Sequence, residues 1–282
     1  MARRATVSKQ ERETNTGLIL VLDGGSSLTG SWIANKSDGQ VMVEAMNAMG
    51  YDGLALGRMD LGIGLDKILE LEKQAKFPFL SANLVSKTDD KPLFKAYTTF
   101  ERNGVKVGVI GLSEAEILQA PGVNNKAKLA DAAKIVKQYV DELRPQVDLL
   151  VLLSHQGIDK DKELVQVVPG IDLVIGGNTR KLMREPEQVG NTLLMEQGYR
   201  GEWLGRFQVA YDVQGVPSGA KVDILSLDDK YADDPDIVEI LGKWIKLYPS
   251  PTPPPTWTPD PNAPTPTPFP TAVQAKPTAA KQ

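Results

Sequence analysis

Four short segments concentrate the residues able to do chemistry. They read Asp23-Gly24-Gly25-Ser26-Ser27-Leu28-Thr29-Gly30, Leu56-Gly57-Arg58-Met59-Asp60, Leu153-Ser154-His155-Gln156-Gly157 and Gly176-Gly177-Asn178-Thr179-Arg180. Each follows an apolar run and carries glycine where the backbone must turn sharply. In α/β sheets, functional groups collect in loops of this kind, just beyond the carboxyl ends of strands. His155 is the only histidine, and the chain has no cysteine. Disulfides and thiolate metal sites are therefore excluded, and a His-rich metal site cannot be built from this chain alone. Gly24-Gly25-Ser26-Ser27 lacks the spacing of both the dinucleotide fingerprint and the Walker phosphate loop.

Positioning these loops requires alternating strands and helices. Residues 17–23 are a continuous apolar run ending in glycines and read as a buried strand. Residues 40–49 read as a helix with Val41, Val43, Ala45, Met46 and Met49 apolar and Gly50 as its C-cap. A second helix is predicted over 65–76, with Ile68, Leu69 and Leu71 buried, and a long one over 125–143. Strands are predicted over 77–82, 105–110, 147–153 and 171–175. Hairpin-like strands follow at 192–196, 204–212 and 220–225, and a helix over 233–246 closes the domain. This alternation implies a layered α/β core, and the late antiparallel strands imply mixed sheets.

Composition bounds the function classes. Hydrophobic residues make up 41% and charged residues 24% of the 282 residues, which is ample for a packed core. A net charge of -4 and a pI near 5.3 give no reason to expect nucleic-acid binding. No apolar run reaches the roughly 18 residues that a membrane span needs. The basic start Met1-Ala2-Arg3-Arg4 is followed by polar residues, so the sequence as it stands shows no signal peptide. Residues 249–282 hold most of the chain's 20 prolines, interleaved mainly with threonine and alanine. That stretch is expected to be a disordered Pro/Thr-rich tail and a spacer, leaving 1–248 as the folded domain. The absence of cysteine fits an exported bacterial protein and does not contradict a cytosolic one.

The order and spacing of the four loops resemble the calcineurin-like metallophosphoesterases, most closely the N-terminal catalytic domain of the 5'-nucleotidase family. Residues 43–52, 79–83, 103–112 and 168–177 match in text and order as well. The resemblance implies a layered α/β/β/α metallophosphoesterase-like sandwich with mixed sheets. It also implies a phosphoester hydrolase that uses two divalent metal ions to clamp phosphate and activate water. The family's Gly-Asp, which bridges the metals, aligns with Gly25-Ser26. Its Gly-Asn-His-Glu aligns with Gly57-Arg58-Met59-Asp60, so that Met59 and Asp60 stand at the catalytic His-Glu pair. Its Gly-His-x-His, sometimes Gly-His-x-Gln, aligns with Gly177-Asn178-Thr179-Arg180. Of the aligned ligand positions Ser26, Arg58, His155, Asn178 and Arg180, only His155 retains the family's residue type. A hydroxyl cannot bridge two divalent cations with comparable strength, and arginine has no lone pair to give. The family's opening Asp-x-His strand and its base-gripping second domain have no counterpart here, and residues 1–15 resemble the helix that follows that strand.

The expectation is a non-catalytic relative with no metal cofactor. The alternatives are an active phosphoester hydrolase with a reduced metal site, or a truncated gene remnant. Arg58 and Arg180, with His155 and Asn178, are candidates to bind a phosphate-like or other small anion in place of the metals. The competing reading pairs both arginines with Asp60 or Asp23. Ser26 and His155 could form a nucleophile and base, but no third orienting group is identifiable in the sequence. Family and tail together suggest an extracellular or cell-surface setting.

Overall fold

The protein is described by a computed structural model covering residues 1–211 and 217–250. The tail from residue 251 onward lies outside the described residues. The chain opens with α1 (Ala2–Thr14), β1 (Leu22–Asp23), α2 (Trp32–Lys36), α3 (Gln40–Met49), β2 (Gly53–Ala55), α4 (Leu65–Gln74) and β3 (Phe79–Leu80). It continues through β4 (Leu84–Ser86), β5 (Tyr97–Arg102), β6 (Val105–Leu112), α5 (Val123–Lys126), β7 (Ala127–Leu129), α6 (Ala132–Leu143), β8 (Leu149–Ser154) and α7 (Ile158–Val167). The last elements are β9 (Leu173–Gly176), β10 (Glu187–Val189), β11 (Thr192–Glu196), β12 (Trp203–Tyr211), β13 (Pro217–Ser226) and α8 (Pro235–Leu247).

Two sheets carry the site. β1, β2 and β3 form a short parallel sheet. The larger sheet runs in the order β10-β11-β9-β8-β6-β5. Its centre is parallel and both edge pairs are antiparallel, so it is mixed. Ala55 and Leu80 from the first sheet pack with Val107, Val109, Val151, Leu153 and Leu173 from the second, so the two sheets face each other across an apolar layer. Beyond the small sheet, Leu54 and Phe79 pack with Val43, Met46 and Met49 of α3, Ile68 and Leu71 of α4, Ala5 of α1 and Ile237 of α8. Beyond the large sheet, Ile110, Leu112, Leu150 and Leu152 pack with Val136 and Val140 of α6 and Leu164 of α7. The result is helices, sheet, sheet, helices. The alternation of inward and outward residues along β6 and β8 is what lets each strand feed two apolar layers at once.

Several local expectations carry through. α3 buries Val41, Val43, Ala45, Met46 and Met49 and ends at Gly50 in the left-handed region (φ 69°). Two expectations fail for physical reasons. The helix expected over 125–143 is interrupted: Ala127–Leu129 pairs antiparallel with Leu84–Ser86, and Asp131 then caps a fresh helix by accepting from Lys134 N. The strand expected over 17–23 pairs only at Leu22 and Asp23, because its partner β2 is three residues long. Among the described residues no helix is long and apolar enough to cross a membrane.

Candidate functional site

The four loops follow β1, β2, β8 and β9, at the carboxyl ends of parallel strands, and they converge. Asp60 is the organiser. Its buried carboxylate accepts backbone N–H donations from Ser26 (2.7 Å), Ser27 (2.8 Å), Leu28 (2.8 Å) and Gly57 (2.9 Å). Burial pushes this carboxyl above its ordinary range, and the donations from Leu28, Gly57 and Ser26 oppose the rise. Asp60 thus ties the first loop to the second. Asp23 accepts from Gly25 N at 3.0 Å and Ser27 Oγ at 2.6 Å, and Arg4 approaches it at 3.7 Å.

His155 sits in the middle, 3% exposed. Its Nδ1 lies 2.5 Å from the Gly24 carbonyl and its Nε2 lies 2.9 Å from Ser26 Oγ. A carbonyl oxygen only accepts, so Nδ1 carries the proton. In the neutral ring, Nε2 is then the acceptor for the Ser26 hydroxyl. Room for the ring is made by glycine. A Cβ on Gly57 would fall 2.4 Å from His155 Cδ2 and 2.6 Å from Ser26 Oγ, and one on Gly177 would fall 2.9 Å from Nδ1. Ser26 itself holds a left-handed backbone (φ 59°), which costs a non-glycine residue about 1 kcal/mol or more.

A polar cavity of about 450 Å³ opens beside this cluster, lined among others by Arg58, Glu114, Gln156, Lys160, Asn178 and Thr179. Glu114, which sequence reasoning missed, is central to it. Its carboxylate accepts from Arg58 N (2.7 Å) and Asn178 Nδ2 (2.6 Å) and lies 3.8 Å from His155 Nε2. The signal was present: Glu114 is the second residue beyond a buried strand, as in the four loops. Asn178 Nδ2 also donates to the His155 carbonyl at 2.8 Å. Arg58 is exposed and borders this cavity; Arg180 is exposed, has a left-handed backbone (φ 60°) and is not among the lining residues. The arginine ion pairs of the described residues involve Arg3, Arg4, Arg12, Arg144 and Arg206. Neither Arg58 nor Arg180 is locked onto Asp60 or Asp23. Met59 is 42% exposed and borders a separate, more apolar cavity of about 410 Å³, which also touches Arg58.

Two more carboxyls lie behind the loops, fully buried. Asp161 accepts from Ser154 Oγ (2.6 Å) and Gln156 Nε2 (3.0 Å) through Oδ1, while its Oδ2 has no hydrogen-bond partner. Burial, together with nearby Glu196, pushes the Asp161 carboxyl up to about 6. Glu196 accepts from Thr179 Oγ1 and Arg180 N, and burial raises it too. These contacts fix the backbone on either side of His155 and Asn178.

The residues at the aligned positions do not fit a two-metal centre. Ser26 directs its hydroxyl at His155, and both His155 nitrogens are engaged. Arg58 and Arg180 offer no lone pair. Among the described residues, no group of three or more His, Asp or Glu side chains is placed to hold a metal ion.

No family model matches the chain. Human 5'-nucleotidase is 28% identical over 274 aligned residues, covering 88% of this chain and 47% of that protein. The chain spans about half the length of the 5'-nucleotidases it matches. The sulfate thiohydrolase SoxB of Thermus thermophilus superposes with a TM-score of 0.81 at 26% identity, over 88% of this chain and 46% of SoxB. The calcineurin-like phosphoesterase YfkN of Bacillus subtilis superposes with a TM-score of 0.76 at 21% identity, over 88% of both chains. The homologues are thus 5'-nucleotidases and calcineurin-like phosphoesterases, and the α/β fold is theirs.

Proposed function

We propose that this chain is a phosphoesterase-like domain that does not carry out two-metal hydrolysis and instead binds a small anion in the cleft beside His155. The observation that carries the reading is the 2.9 Å contact between Ser26 Oγ and His155 Nε2, with Nδ1 engaged on the other side. The one imidazole at an aligned ligand position is spent on neighbours within the chain. Anion binding is supported by Arg58, which borders the polar cavity without a carboxylate ion pair among the described residues, and by Lys160 and Asn178 in the same lining. The amino end of α7 opens on that cavity through Gly157, with no side-chain cap competing for its amides. Glu114 limits the affinity by repulsion, so a dissociation constant in the micromolar to millimolar range, roughly -8 to -4 kcal/mol, is expected. Binding should weaken as salt rises, because Arg58 and Lys160 face solvent.

The test is calorimetry with inorganic phosphate and sulfate, in chelator, on wild type, Arg58→Ala and Arg180→Ala. Arg58→Ala should weaken binding about 10-fold or more, the loss of one charge-assisted contact. Arg180→Ala should change it less, since Arg180 does not line the cavity. Equal binding by wild type and Arg58→Ala, or binding by neither, would refute the anion reading. Hydrolysis of nucleoside monophosphates with added Mn²⁺ should stay at buffer background. A saturable rate would refute the other half.

A further inference from the structure

We propose that Ser26 is a metal-independent nucleophile, with His155 as its general base, and that it attacks carboxylic esters. The inference stands apart from the anion-binding reading, because it needs neither Arg58 nor Arg180. The group that sequence alone did not supply is the Gly24 carbonyl. It holds Nδ1–H at 2.5 Å and so presents the unprotonated Nε2 to Ser26 Oγ at 2.9 Å. An orienting acceptor on one nitrogen and a hydroxyl on the other is what a serine–histidine pair requires. Three further observations support a working pair. Ser26 is held in a left-handed backbone conformation by Asp60, and such strain collects at reacting residues. Ser26 is half-buried, above an imidazole that is itself shielded from solvent. Glu114 Oε1 lies 3.8 Å from Nε2, where it would stabilise the imidazolium that forms on proton transfer.

In the forward step Ser26 Oγ bonds to the ester carbonyl carbon and its proton passes to His155 Nε2. The tetrahedral oxyanion then collapses, the C–O bond to the alcohol breaks, and the departing alkoxide takes the proton from Nε2. Water attacks the acyl-serine with its proton going to Nε2, and the carboxylic acid leaves as Ser26 regains a proton. The net reaction is ester plus water to acid plus alcohol. The backbone amides of Ser26, Ser27, Leu28 and Gly57 are all committed to Asp60, so they do not serve as an oxyanion hole. Turnover is therefore slow, and a covalent adduct on Ser26 is the species to detect.

The probe is a fluorophosphonate ester. Ser26 Oγ forms the P–O bond, the P–F bond breaks, fluoride leaves, and the proton ends on Nε2. Intact mass and peptide mapping of the full-length protein should show one adduct per chain, at Ser26. Adjacent Ser27, whose hydroxyl donates to Asp23, serves as an internal control. Ser26 should react about 100-fold or more faster than Ser27, and the difference should vanish in urea, since general-base assistance contributes ~10²–10⁴-fold. Ser26→Ala should abolish labelling, and His155→Gln should slow it by ~100-fold. No adduct on the folded wild type, or equal rates at Ser26 and Ser27, would overturn the proposal whether or not His155→Gln folds.

Discussion

Replacing Asp161 by asparagine should stabilise the protein at neutral pH and weaken it slightly in acid. Asp161, on α7, is fully buried against Ser154 at the end of β8, and its Oδ2 has no partner. Its carboxyl is raised from 3.8 to about 6, first by burial and then by Glu196. Ser154 and Gln156 oppose the shift by hydrogen bonding. A raised acid binds its proton more tightly in the folded state. Its contribution to stability is therefore complete below about pH 4 and is lost as pH rises through about 6. The rise is about 2 units, and at ~1.4 kcal/mol per unit the charged form costs about 3 kcal/mol above pH 7. Asparagine keeps the Oδ1 acceptor and the volume and carries no charge. Its amide nitrogen replaces the orphan Oδ2 at a cost of about 1 kcal/mol. The net expectation is a gain of about 2 kcal/mol at pH 8 and a loss of about 1 kcal/mol near pH 4, with the curves crossing between. Urea unfolding of both proteins from pH 4 to pH 8 measures this directly. A difference that does not change with pH, or a variant less stable at pH 8, would refute the reasoning.

Asp60→Ala strands four backbone N–H groups, and at about 1–3 kcal/mol for each that stays dry, chemical denaturation should show a loss of at least ~3 kcal/mol. Gly57→Ala places a methyl 2.4 Å from His155 Cδ2 and 2.6 Å from Ser26 Oγ; the expected cost is about 1–3 kcal/mol, read by the same unfolding assay. Gly30→Ala serves as its comparison: it meets open space but carries a positive φ, so any loss there reports backbone strain without steric conflict.

The site's scaffold was legible in the sequence because glycine-bearing loops after apolar runs mark the carboxyl ends of strands. The α3 helix was equally plain, since its apolar spacing and Gly50 agreed. What periodicity could not show was pairing. Residues 127–129 look helical beside 132–143, and only the distant Leu84–Ser86 turns them into a strand. The same limit hid Asp60's role. A turn-capping aspartate is an ordinary guess, but four donors from two loops form only once the loops are brought together. Asp161 and Glu196 escaped because each acts across elements, and an acidic residue in a helix or at a strand end carries no mark of burial, whereas Glu114 was marked only by its place two residues beyond a buried strand. The Ser26–His155 contact spans 129 residues and depends both on glycines that leave space for the ring and on the Gly24 carbonyl that orients it.

The most direct measurement is metal content. The full-length protein would be equilibrated with Mn²⁺ or Zn²⁺, washed free of loose ions and subjected to elemental analysis. On the alignment that sets Ser26, Arg58, Asn178 and Arg180 at the family's ligand positions, and with both His155 nitrogens engaged, far less than one equivalent per chain should remain. Two tightly held ions per chain would contradict the reading that this fold has given up two-metal chemistry.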